Sequence, residues 1–211
     1  MAKTVVGIDI GHETVKMASL EHSAKSFRLQ GLHLAQIPPS SWKAEALSNI
    51  DEIARIIKES FHVAKPHPIK TRRATFALPE SVIFSATLTM PALSPKEIEQ
   101  ALPFELAERL SIKPEEYYID FEEVESKCRP IGQEQSQSNS KITETKKVEK
   151  VVRQDASSGI IVFAAAAKKS LIDSIVELCK KADLDLVGID IKPGAIIRAV
   201  VAGNDSRARL I

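Results

Sequence analysis

Asp9, Gly11 and Lys16 lie in the stretch Val5-Val6-Gly7-Ile8-Asp9-Ile10-Gly11-His12-Glu13-Thr14-Val15-Lys16, which sets an acid, a glycine and a base around one turn. The apolar run ending near Asp9 and the second run from Val15 to Leu20 predict two strands joined by a tight turn. An aspartate at a strand tip can hold a hydrated Mg²⁺, and a lysine beside it adds a point charge. A glycine just beyond can take positive φ and turn backbone N–H groups outward, forming a concave row of amides suited to phosphate oxygens. The same spacing fits an ordinary hairpin with a solvated turn equally well.

The elements that must position this turn read as an α/β protein. Aromatic residues make up only 5% of the 211 residues, so the core must be aliphatic. Ser26 to Ile37 alternates and predicts a third strand broken near Gly31. From about Ala44 to Val63, Leu47, Ile50, Ile53, Ala54, Ile57 and Phe61 recur at helical spacing, with a charged opposite face. Arg73 to Leu78 predicts a fourth strand, and Val82 to Met90 a fifth. Ser94-Pro95-Lys96-Glu97 reads as a capping box, opening a helix to about Leu110, and Pro103 inside it should bend it or shift its start. Further strands follow at Tyr117 to Val124, at Ile160 to Ala166 and at Leu184 to Ile191. A helix capped by Ser170 is expected between the last two, and Pro193 to Val201 predicts a final helix. Arg129 to Ser158 is polar and charged, and predicts a disordered loop. Arg207 to Ile211 reads as the start of another strand.

Composition narrows the function classes. Lys plus Arg number 29 and Asp plus Glu 28, so no global charge points to nucleic acid or an anionic membrane. Cys128 and Cys179 are far apart without a CxxC pattern, which argues for inert reduced thiols over a disulfide framework or zinc site. No apolar run approaches the ~20 residues needed to span a bilayer. No signal-peptide pattern precedes the first strand, so a cytoplasmic protein is expected, reaching a membrane only through a partner.

Gly-Ile-Asp-Ile-Gly with a lysine seven residues after the aspartate resembles the first phosphate loop of the actin-like ATPase superfamily. Leu88-Thr89-Met90-Pro91-Ala92-Leu93-Ser94-Pro95-Lys96-Glu97, Phe104-Glu105-Leu106-Ala107, Tyr118-Ile119-Asp120-Phe121, Ala164 to Lys169 and Ala182 to Asp190 are similar to the PilM family of type IV pilus assembly. The resemblance implies the N-terminal half of an actin-like, ribonuclease-H-like fold with an inserted small α/β subdomain of the FtsA/PilM type. The expected division is a core part over 1–78, the insertion over 79–190 with the polar loop 129–158, and a connecting helix with a return to the core over 191–211. It also implies ATP and Mg²⁺ as ligands. Asp9, Gly11, His12, Glu13 and Lys16 match the phosphate-loop positions, with Asp9 holding Mg²⁺ through water. His12 departs from the small Thr or Ser usual there.

The implied partner is the N-terminal cytoplasmic tail of a PilN-type inner-membrane protein, bound in a groove between core and small subdomain, with links to the pilus motor ATPases. The second Asp-x-Gly loop and the adenosine-binding Gly-Gly of the superfamily are absent, so an N-terminal part with weak ATP binding is expected. Pro193 to Val201 has no Glu or Gln to position an attacking water. No catalytic residue is assigned, and hydrolysis by this chain is not expected. An FtsA-like division anchor and a kinase of the superfamily are the alternatives.

Overall fold

The computed structural model describes residues 4–23, 26–43, 46–124 and 159–201. The chain opens with β1 (Val6–Ile10), β2 (Thr14–Ser23) and β3 (Ser26–Gln36), an antiparallel meander. A two-stranded ribbon, β4 (Trp42–Lys43) and β5 (Ala46–Leu47), leads to α1 (Ile50–Val63). The helix therefore starts about two turns later than the Ala44 expected from its spacing. Asn49 takes φ 53°, and its Nδ2 donates to Ser40 Oγ at 2.8 Å, so the chain turns sharply before helix can begin. Leu47 still reaches the core, but from β5.

β6 (Lys65–Pro66) edges β3, and β7 (Arg73–Leu78) returns parallel to β1. β8 (Ile83–Pro91), α2 (Pro95–Leu110), β9 (Tyr117–Val124) and β10 (Gly159–Lys168) follow, then α3 (Lys169–Ala182), β11 (Asp185–Ile191) and α4 (Lys192–Val201). The main sheet has the order β11-β7-β1-β2-β3-β6, and a three-stranded sheet has the order β8-β10-β9. Parallel β1, β7 and β11 with antiparallel β2 and β3 match the ribonuclease-H-like order expected.

Each sheet has its own core. Val6, Ile8 and Ile10 of β1 are buried with Ile53, Ile57 and Phe61 of α1 and Leu171 and Ile175 of α3. Leu88, Ile98, Leu102, Leu106, Val162 and Ala164 form the second core between α2 and the small sheet. Burial of each such aliphatic contributes roughly 1.5–3 kcal/mol. Ser174 joins elements of the first core, since its hydroxyl accepts the Leu47 N–H at 3.2 Å and donates to the Leu171 carbonyl at 2.7 Å.

The insertion differs from the expected 79–190. α3 and β11 pack in the first core and the main sheet, because the apolar face of α3 matches the open side of α1. Only the segment from β8 to β10 belongs to the second core. The capping box forms as expected, with the Ser94 N–H and Oγ each 2.7 Å from Glu97 Oε2. These bonds hold the Glu97 carboxyl below its usual pKa. α2 starts at Pro95 and runs through Pro103, so the proline does not shift its start. Ser170 lies inside α3, whose cap position is Lys168. Cys179 is a buried free thiol, its pKa pushed up to about 11 by desolvation. Cys128, the polar loop 129–158 and the strand expected at Arg207 to Ile211 lie outside the described residues.

Gly31 marks the break expected in β3. The β2–β3 register shifts at Ser19/Leu20, and a Cβ on Gly31 would sit 2.7 Å from both the His67 carbonyl oxygen and Ile69 Cγ1. Gly31→Ala should cost about 1–3 kcal/mol in urea unfolding, because backbone must move to admit the methyl. Gly7→Ala, whose Cβ would meet nothing nearer than 3.8 Å, should cost far less.

Candidate functional site

Strand alternation places Asp9 on the sheet face opposite α1 and α3, because its neighbours Ile8 and Ile10 are buried toward those helices. The register sets Lys16 of β2 directly across from Asp9, with Nζ 3.4 Å from Oδ2. On the other side Asp9 pairs with Ala77 of β7, and Ala77 pairs with Asp190 of β11. Asp9 and Asp190 thus stand two strands apart in one row on one face. Just beyond Asp190, Lys192 turns back from the start of α4 and places Nζ 2.8 Å from Asp9 Oδ1.

The Asp9 carboxylate, 22% exposed, lies between two ammonium groups. Oδ1 is shut off from solvent, and the Lys192 ammonium is close but too far off the hydrogen-bond angle to serve as its donor. Its lone pairs have charge compensation without an aligned donor. One carboxylate and two ammoniums leave a positive excess, suited to an anion with a hydrated divalent cation. Among the described residues no three His, Cys, Asp or Glu side chains converge to hold a metal alone. Mg²⁺ usually keeps waters and takes one or two carboxylates beside phosphate oxygens, so a single Asp9 fits it.

The turn differs from the expected amide nest. The Gly11 N–H donates to the Thr14 carbonyl at 2.8 Å, and the Gly11 carbonyl accepts Trp42 Nε1–H at 2.8 Å. Neither Gly11 nor His12 nor Glu13 has positive φ, so the alternating right- and left-handed pair that makes a nest is missing. Gly11 therefore closes the hairpin instead of offering an amide. The N–H groups of His12 and Glu13 have no acceptor among the described residues and remain available. Both side chains are exposed, and the His12 ring leans on Trp42 with centroids 5.9 Å apart.

Of the expected residues, Asp9 and Lys16 come together, and His12 and Glu13 offer backbone. Lys192 and Trp42 were not foreseen. Nothing local marks Lys192, which arrives only because β11 joins β7. Trp42, the sole tryptophan, could have been suspected from its apolar type after a Pro-Pro-Ser-Ser break. Asp190 accepts the Ile191 N–H at 2.7 Å and pairs with Arg198.

A second recess lies between the two sheets, lined by Leu78, Ile83, Phe163, Ala165, Ile172 and Ile189 among others. It continues past Phe163 and Ile191 to Glu80, Pro193 and Arg198.

A family model described as type IV pilus assembly protein PilM matches residues 7–153. Among solved structures, one described as the PilM-PilN type IV pilus biogenesis complex superposes with a TM-score of 0.70 at 22% identity, covering 94% of this chain and 50% of that one. The likeness is one of fold, and the chain spans half the length of that solved chain. The cytoplasmic domain of EpsL, an inner membrane component of the type II secretion system of Vibrio cholerae, matches at a TM-score of 0.46 and 9% identity, covering 89% of this chain and 57% of that one. A Bacteroides thetaiotaomicron protein of unknown function with an actin-like ATPase fold matches at 0.41 and 8%, covering 95% of this chain and 56% of that one.

Trp42→Phe keeps the packing but leaves the Gly11 carbonyl without its donor. It should lower stability by about 0.5–1.5 kcal/mol, read by circular dichroism in urea. An unchanged midpoint would mean that the bond adds nothing to holding the turn.

Proposed function

The chain belongs to the family of the type IV pilus assembly protein PilM, and from that membership we propose that it is a nucleotide-binding scaffold of pilus assembly. It holds the N-terminal cytoplasmic tail of a PilN-type inner-membrane protein in the recess between its two sheets. Through that partner it stands at the inner membrane from the cytoplasmic side and links the pilus motor ATPases to it. The observation that carries this reading is the family match over residues 7–153, with an apolar recess opening where the small sheet meets the main one. The relative of known structure is described as a complex with PilN, and the reading brings that partner class to this recess. Among the described residues, no helix is long and apolar enough to cross a membrane.

Mg²⁺–ATP is the proposed ligand of the β1–β2 turn. Lys16, Lys192 and the free N–H groups of His12 and Glu13 would face phosphate oxygens, with Asp9 holding Mg²⁺ through water. Bound there, the metal would neutralise phosphate charge. The support is Asp9 itself, a carboxylate with an undonated buried oxygen between two cations. α4 carries Lys192 and Arg198 but no Glu or Gln, so no side chain on it can orient an attacking water. The nucleotide acts as a conformational ligand rather than as fuel.

Two measurements test the two halves. A labelled tail peptide titrated with the full chain should bind, and Phe163→Ala should weaken it about tenfold, the loss of one well-packed aromatic anchor. No binding by the wild type at about 1 mM protein would sink the scaffold reading. Trp42 fluorescence should change on adding Mg²⁺–ATP, and Asp9→Ala should remove the response. A response equal in both proteins would refute the assignment of Asp9.

A further inference from the structure

The recess between the sheets joins an apolar floor to an acidic rim. Phe163 and Ala165 of β10 and Ile189 of β11 form part of the floor. On β9 the register puts Glu122 beside Phe163 and Asp120 beside Ala165, so two carboxylates share the floor's own face. Glu80 stands at the other end, where the recess continues toward α4. All three acids are exposed and none has an ion-pair partner among the described residues.

The cations bordering this region are engaged elsewhere. Arg198 pairs with Asp190, Lys192 with Asp9, and the Lys169 ammonium lies 5.7 Å from the centre of the Tyr118 ring. Water satisfies such carboxylates while the recess is open. An occupant that seats on the floor displaces that water, and a buried charge without a partner is strongly unfavourable. The rim therefore rejects neutral and acidic segments and accepts cationic ones.

The backbone adds a shape. β9 is an outer strand of the small sheet among the described strands. The Phe121 N–H donates at 2.9 Å to the neighbouring Asp120 carboxylate. An outer strand is where an extended chain can add to a sheet.

We propose that the recess takes an extended peptide segment with apolar residues on its floor side and Lys or Arg reaching Glu80, Asp120 and Glu122. This rests on the scaffold reading and specifies the chemistry of the tail it holds. The test titrates the full chain and its Glu80→Gln/Asp120→Asn/Glu122→Gln variant with two fluorescent peptides. One is the N-terminal cytoplasmic tail of the PilN-type protein, and the other is the same tail with every Lys and Arg replaced by Gln. The native tail should bind the triple variant about tenfold more weakly than wild type, and the gap should shrink as salt rises. The neutral tail should bind the wild type weakly and the triple variant at least as well, because the amides remove the unpaired charges. Glu105→Gln, a substitution on the exposed side of α2, should leave binding unchanged and serves as the remote control. If the native tail binds wild type and triple variant alike, the acidic rim is not the specificity element and the proposal fails alone. If it does not bind wild type at all, the scaffold reading fails and takes this proposal with it.

Discussion

The parallel pairing of β1, β7 and β11 decides where the polar groups of this molecule stand. Once Val6, Ile8 and Ile10 are committed to the core under α1 and α3, the two-residue period of the strand sends Asp9 to the opposite face. The pairing of Asp9 with Ala77, and of Ala77 with Asp190, then sets the two carboxylates in one row. Each acid answers the row in a different way. Asp190 is neutralised within its own β11–α4 corner by Arg198, whereas Asp9 shares two lysines from different parts of the chain. A slip of one residue in β1 would bury Asp9 and expose Ile8, so the hydrophobic core itself enforces the register.

Much of this was legible in the sequence because it depends on local periodicity. The strand pair around Asp9, the stripe Ile53, Ala54, Ile57 and Phe61, and the Ser94/Glu97 cap each rest on residues within a few positions of one another. The departures arise where local and non-local terms compete. Gly11 invited a left-handed turn, but a hairpin bond to Thr14 and a long-range bond from Trp42 use its polar groups. The helix expected from Ala44 yields at Asn49, whose side chain is held by Ser40. Lys192 could not be foreseen beside Asp9, because its approach depends on β11 adding to the main sheet. The division at residue 190 erred for the same reason: the periodicity of α3 revealed an apolar face but not which core would receive it.

The insertion of the small sheet follows from strand geometry. β8 and β10 are antiparallel neighbours, with Ile83 paired to Ala167, so the chain leaves and re-enters at nearly the same place. The main sheet can therefore close β7 against β11 whether or not the insert is large. Tyr118 Oη lies 3.5 Å from Asp173 of α3, one of few polar contacts among the described residues that bridge the two cores. With so little bridging, the recess between the sheets stays open and apolar rather than packed shut.

The two recesses are not independent. The end of β7, β11 and α4 border both, and Asp190 lines the space beside Asp9 as well as the cleft under the small sheet. The Asp190–Arg198 pair thus forms a common wall, fixed on one side by β-sheet register and on the other by the first turns of a short helix. α4 leaves Ile196, Ile197 and Val200 more than half exposed, so little apolar burial anchors that helix. Lys192, which reaches Asp9, and Pro193, Gly194, Ile197 and Arg198, which line the far end of the recess between the sheets, belong to the same helix.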